Sequence, residues 1–224
     1  AFTLDYPSYG PFLKYSTNRE LRKQVWMAYN TRAIGGEFDN TENIRRIAEL
    51  RLKIANLLGY KCYADYVLED RMAESTKTVN GFLAELNKAT LSYAKKDVAA
   101  ITEYAHSLGF EGELAPWDFG YYNEKYKEAK YAINDEQIKP YLQLENVKNA
   151  VFMLAGKLYG LTFTPVDNIE TYHPEATVYE VRDDKGELMA ILYLDFFPRE
   201  SKRQGAWMTE FRGVKVKDGK EQRP

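Results

Sequence analysis

Apolar positions recur at helical spacing through roughly the first 160 residues, and at strand spacing after them. Leu21, Val25, Ala28 and Tyr29 share one helical face, and Thr17 and Glu20 stand at capping-box spacing before it. The pattern predicts a helix to about Ala33, broken by Gly35-Gly36. Asn40 or Thr41 opens a second helix, with Ile44, Ile47, Ala48, Leu50, Ile54, Leu57 and Leu58 as its stripe and Gly59 at its end. A short helix over Tyr63 to Met72 follows. Ser75 or Thr76 then starts a long one through Val79, Phe82, Leu83, Leu86, Tyr93 and Ile101, closed by Gly109. Pro116 suits a helical first turn, and Trp117 to Tyr131 continues it. Asn134 and Gln137 form a further cap pair, and Pro140 separates that short helix from one over Glu145 to Tyr159, ended by Gly160. Residues 1–15, with Pro7, Gly10 and Pro11, read as irregular surface chain.

After Gly160 the period changes. Thr177 to Val181 alternates apolar and polar, Asp183-Asp184-Lys185-Gly186 is a turn signal, and Glu187 to Asp195 is the return strand. Leu188 to Leu194 is almost continuously apolar, which suits a strand buried on both faces. The chain then breaks at Asp195, turns through Pro198 and passes Arg199, Lys202 and Arg203. Gly205-Ala206-Trp207-Met208 suits a second short strand, glycine often marking a close approach of another backbone. The stretch reads either as a structural hairpin or as part of a ligand-binding wall, with Asp195, Arg199 and Lys202 as an ion-pair cluster fixing the turn. From Gly213 onward the chain is polar, lysine-rich and without a period.

The expected fold class is mainly α, a multi-helix array with a small antiparallel β hairpin or sheet near the C-terminal end. The expected division is a helical part over 1–160, a small β part over 161–212 and a flexible tail over 213–224. No repeat or linker composition interrupts it.

The 224 residues can bury a substantial core. Lys plus Arg is 31 and Asp plus Glu 33, a net charge of −2 that argues against nucleic acid as a partner. No apolar run approaches the ~20 residues a membrane helix needs. The opening AFTLDYPSYGPF has neither a basic region nor an apolar core of a leader; it reads as the interior of a longer polypeptide. Cys62 stands alone, which excludes an internal disulfide; cysteine poverty slightly favours cytoplasm over periplasm without fixing localisation. The 18 tyrosines and 11 phenylalanines suit packed helices with wet hydroxyls, or the lining of a peptide groove.

Candidate chemistry is sparse. The two histidines, His106 in YAHSL and His173 in TYHPE, do not form HExxH, the pattern that sets two imidazoles on one helix face with a glutamate between them. His106, near a helix C-terminus, reads as a capping residue, and His173 as a polar loop residue. There is no P-loop, GxGxxG or GxSxG, and the carboxylates Asp65, Glu69 and Asp70 read as a solvated face. On these residues the chain carries no recognisable catalytic apparatus.

Four segments change that picture: LDYPSYGPFLKYSTNRELRKQVWMAYNTRA, ELRLKIANLLGYKCYADYVLEDRMA, WDFGYYNEKYKEAKY and YLDFFPRESKRQGAWM. Together, in this order and rough spacing, they resemble the thimet oligopeptidase family of zinc metallopeptidases, and within it the peptidyl-dipeptidase (dipeptidyl carboxypeptidase) branch. The match runs nearly end to end, with local departures such as Gln204 where glycine is common. The resemblance implies a mostly helical enzyme that hydrolyses short peptides in a deep channel. In that family Zn²⁺ polarises the scissile carbonyl and the glutamate of HExxH is the general base. That motif lies downstream of the GAWM-like segment, so the resemblance implies a zinc-dependent parent and a fragment with no catalytic or metal-ligating residue of its own, expected to bind no zinc and to be inactive alone. It assigns substrate binding to Gly205, Ala206 and Trp207, as an edge strand pairing with the peptide backbone; the competing reading is an inner strand packed on the zinc helix. The alternative function is a non-catalytic helical peptide-binding or interaction protein. Truncated edges expose pairing groups through which copies of the chain can self-associate.

Overall fold

The computed structural model describes residues 2–132, 134–203 and 205–223, so Gln204 lies outside the described residues. The chain divides into two compact units, Ala1–Ala132 and Ile133–Pro224.

The first unit is helical. Its elements are α1 (Tyr6–Tyr15), α2 (Arg19–Asn30), α3 (Thr41–Leu57), α4 (Tyr63–Leu68), α5 (Thr76–Ser107) and α6 (Pro116–Tyr131). The irregular start expected from Pro7, Gly10 and Pro11 is instead helix α1. Pro7 sits in its first turn, where a missing N–H costs nothing. Pro11 inside it is tolerated because tertiary packing holds the turn: Tyr9 stacks on Tyr29 of α2 with ring centroids 4.1 Å apart. Asn18, not Thr17, caps α2, its side chain accepting from the Leu21 N–H at 3.1 Å. At α3 the cap role falls one residue earlier than expected, to Asp39, whose Oδ1 accepts from the Thr41 N–H at 2.8 Å. Ser75 caps α5 as its sequence predicts, accepting from the Thr78 N–H at 3.1 Å.

Helix α6 is the hub of this unit, packing on α1, α2 and α5. Its centre is polar. Asp118 is fully buried and accepts from Arg19 Nε and Nη2, from Arg22 Nη2 and from the Ala115 N–H, all between 2.8 and 3.1 Å. Burial alone would raise the Asp118 pKa, but these donors outweigh it and hold the carboxylate below its usual range. Farther out, α3 and most of α5 expose their apolar stripes: Ile44, Leu57, Phe82 and Tyr93 all face water. Only the C-terminal end of α5, through Ile101 and Ala105, is buried.

The described residues of the second unit form α7 (Asp135–Ile138), a 3-10 turn (Lys139–Leu142), α8 (Leu144–Tyr159) and five strands. Strands β1 (Thr162–Val166), β2 (Thr177–Arg182) and β3 (Leu188–Leu194) form an antiparallel sheet in that order. The expected hairpin is therefore present, with one more strand. β1 escaped the periodicity because it is short and carries Pro165, a residue confined to edges of sheets. Its presence makes β2 the central strand, with Val178, Tyr179 and Val181 buried, whereas the apolar β3 is a half-buried edge. Helix α8 packs on β1: Phe152 stacks on Phe163 at 4.2 Å and meets Tyr179 edge-on at 5.0 Å. The tail is not irregular. Strands β4 (Lys215–Lys217) and β5 (Lys220–Gln222) pair across Asp218-Gly219, both at positive φ (52° and 73°), the conformation of a tight hairpin turn.

Candidate functional site

The segment leaving β3 is built outward from Asp195. Its carboxylate, nearly buried, accepts two parallel hydrogen bonds from Arg199, Nη1 to Oδ1 at 2.9 Å and Nη2 to Oδ2 at 2.7 Å. Lys202 Nζ lies 3.1 Å from Oδ1 and also donates to the Asp195 and Phe197 carbonyls. Hydrogen bonding from Arg199, reinforced by Lys202, holds the Asp195 carboxyl far below the ordinary carboxylate range against the cost of burial. The cluster read from the sequence as a turn-fixing ion pair is thus present. A further donor joins it from outside the sequence neighbourhood: Tyr172 Oη donates to Asp195 Oδ2 at 3.2 Å.

Beyond this cage the chain carries Gly205, Ala206 and Trp207 on the surface, without strand hydrogen bonding. The expected second strand does not form here, since Gly205 takes φ +102°, outside the β region. Trp207 is 60% exposed and Met208 94% exposed, and Phe196 and Phe197 stand about half exposed on the same segment. The segment returns to the sheet at Phe211, whose ring packs edge-on against Tyr193 of β3 at 5.5 Å. A separate depression of about 570 Å³ opens between the end of β1, the 167–171 chain and the start of β2; Gly205, Ala206 and Trp207 do not line it.

Both histidines have local partners. His106 Nε2 donates to the Gly112 carbonyl at 2.8 Å, a bond that fastens the chain after α5. His173 Nδ1 accepts from the Glu175 N–H at 3.2 Å. Cys62 Sγ donates to Asp65 Oδ2 at 3.3 Å. Among the described residues no three His, Cys, Asp or Glu side chains converge as a metal centre.

Comparison with known proteins decides the lineage. Residues 12–224 match peptidase family M3. The chain belongs to this family. It is 37% identical over 228 residues to oligopeptidase A of Escherichia coli, a match covering 99% of this chain and 34% of that protein. It is 34% identical over 203 residues to dipeptidyl carboxypeptidase of the same bacterium, covering 90% of this chain and 30% of that protein. A probable cytosolic oligopeptidase A of Arabidopsis thaliana is 38% identical over 212 residues. This M3 chain thus spans about a third of the length of the curated relatives it matches. Among its described residues, no helix is long and apolar enough to cross a membrane.

Two polar clusters, one within each unit, escaped the sequence. Tyr172 lies 23 residues before its partner Asp195, in a loop with no periodicity to read. The Arg19–Arg22–Asp118 cluster joins residues almost a hundred positions apart. The arginines at adjacent helical turns were its one local signal.

Proposed function

We infer that this chain supplies the helical scaffold and part of the substrate-facing wall of a zinc-dependent M3 peptidase that hydrolyses short peptides, as a peptidyl-dipeptidase or oligopeptidase. Membership of the family over residues 12–224 carries the reading. Gly205, Ala206 and Trp207 are the substrate-binding residues. A glycine and an alanine leave the backbone open to an extended peptide, and the Trp207 ring offers an apolar platform beside it. Their exposure, on a segment fixed at Asp195, supports this role. The catalytic metal is held by residues outside these 224, for which the engagement of His106 and His173 with local partners speaks. The compartment is the cytoplasm in preference to the periplasm, and neither nucleic acid nor membrane is a partner.

A second reading, a non-catalytic helical peptide-binding or interaction protein, draws on the exposed apolar stripes of α3 and α5. Zinc content and peptidyl-dipeptidase activity, measured on the 224-residue chain and on a polypeptide of the relatives' full length containing it, separate the two. Zinc and activity in the long polypeptide alone support the peptidase reading. Stoichiometric zinc in the 224-residue chain overturns the placement of the metal outside it, and inactivity of both favours the interaction protein.

A further inference from the structure

The wall segment is held at two places, and one side chain touches both. At its start, Tyr172 Oη donates to Asp195 Oδ2 at 3.2 Å, adding a neutral donor to the Arg199 and Lys202 cage. At its end, the Tyr172 ring meets Phe211 edge-on with centroids 6.2 Å apart. Tyr193 of β3 completes a three-ring cluster, 6.3 Å from Tyr172 and 5.5 Å from Phe211. Tyr172 is itself positioned from behind by the turn His173–Ala176, where the Ala176 N–H donates to the His173 carbonyl at 3.0 Å and Ala176 is buried against the sheet. The foundation of the anchor is therefore the central strand β2, which starts one residue later.

We propose that Tyr172 is a positioning residue for peptide binding: it staples both ends of the 195–211 segment to the sheet and so fixes Gly205, Ala206 and Trp207 in a presented conformation. The proposal rests on the peptide-wall reading of those three residues. The physical need is plain. Residues 205–208 have no strand partner to order them, so a loop that binds an extended peptide through its backbone meets the ordering cost at the moment of binding unless its ends are already fixed. Loop closure between two fixed ends removes much of that cost in advance. The two anchors are chemically distinct, one a hydroxyl bond to a carboxylate and the other a ring contact, so they are separable by mutation.

The test uses the 224-residue chain and two variants. Tyr172→Phe keeps the ring cluster and deletes the bond to Asp195; Tyr172→Ala deletes both. Trypsin sites lie inside the segment at Arg199, Lys202 and Arg203 and just past it at Arg212, while Lys185 in the β2–β3 turn is an internal reference for the fold. Because cleavage tracks the open population of a segment, Tyr172→Ala should raise cutting at the three sites inside the segment and at Arg212 about tenfold at unchanged Lys185 cutting. Tyr172→Phe should raise it at Arg199 to Arg203 alone. The second readout is the indole N–H resonance of Trp207, one of three tryptophans, identified by Trp207→Phe and followed on addition of penta-alanine. It should shift in the unmodified chain, shift less in Tyr172→Phe and stay unmoved in Tyr172→Ala at the same peptide concentration. Unchanged segment cleavage in Tyr172→Ala overturns the positioning role whatever the peptide does. Increased cleavage together with a Trp207 resonance that ignores peptide in the unmodified chain overturns the peptide-wall reading, and leaves Tyr172 as the anchor of a segment with another purpose.

Discussion

Arg22 and Asp118 meet in the interior of the helical unit, Nη2 to Oδ1 at 2.9 Å, with both side chains essentially out of water. Such a pair persists only if every remaining donor and lone pair finds a partner, since desolvating two ions costs more than one contact returns. Here each of the three Arg22 guanidinium nitrogens donates a hydrogen bond, and both Asp118 oxygens accept. Arg22 also donates to the Ser16 and Trp117 carbonyls at 2.8 and 3.0 Å and lies 4.3 Å from the Tyr121 ring centre, so one guanidinium joins the end of α1, α2 and α6. Removing one partner strands the other. Asp118→Ala should therefore lower unfolding stability by about 3–5 kcal/mol. Arg19→Ala, whose side chain is half exposed, should cost about 1 kcal/mol or less. Urea unfolding of the 224-residue chain and the two variants gives the comparison; equal costs would mean that the exposed arginine carries the pairing.

Asp118 and Asp195 both have depressed folded pKa values, and the sign of the pH dependence follows. The stabilisation each provides is fully present above the ordinary Asp value of about 3.9 and is lost as pH falls through the lower folded value. The two sites report separately by carboxyl NMR. Asp195, bridged by Arg199 and Lys202, should remain ionised at about pH 3, where a free aspartate is mostly protonated. In Lys202→Met its titration should move upward toward the ordinary range. An Asp195 resonance that titrates at the ordinary value in the unmodified chain would remove the cage as a determinant of the segment.

The helices were legible because each carries its own signal: stripe, cap and terminal glycine lie within a few residues of one another. Ser75, Pro116 and Gly160 punctuate the observed elements for that local reason. The same reasoning misassigned α1, where two prolines outweigh propensity until Tyr9 finds Tyr29, a contact no local window contains. In the β unit, the apolar run Leu188 to Leu194 signals a strand buried on both faces, but β3 is a half-buried edge, because the pairing of β1 with β2 is long-range and β1 is disguised by Pro165. At the candidate site the Asp195, Arg199 and Lys202 triad was readable, since i to i+4 and i+7 spacing brings charges together in a tight turn. The anchor at Tyr172 was not, since only the folded sheet brings that loop beside Asp195.

Gly205 sets the conformation of the wall for a reason that is conformational rather than steric. Its φ is +102°, and a Cβ added there would meet nothing within 4 Å. Gly205→Ala should therefore cost about 1–3 kcal/mol of local strain, taken up by the segment shifting away from its present course. The global unfolding midpoint should hold while the Trp207 indole resonance moves. Gly205→Val should do the same more strongly, and in a polypeptide of the relatives' full length it should raise KM or lower kcat/KM without reducing zinc content. Kinetics equal to the unmodified enzyme would sink the assignment of this glycine to the substrate wall.

The stripes on α3 and α5 lead to the last prediction. Ile44, Leu57, Phe82 and Tyr93 are each about two-thirds exposed or more, on helices whose periodicity is otherwise that of buried elements. Side chains already in water have little transfer free energy to lose, so Leu57→Glu and Phe82→Glu should change the urea midpoint of the chain by no more than about 0.5 kcal/mol equivalent. Concentration-dependent association is a different matter, because two such stripes from separate molecules remove apolar area from water at about 25 cal/mol per Å² when they meet. Sedimentation of the unmodified chain should accordingly show association that rises with concentration, and the double variant should sediment as a monomer over the same range. A double variant that unfolds readily would mean that these faces are covered within the chain, and one that associates as before would move the contact to the free edges at β1 and β3.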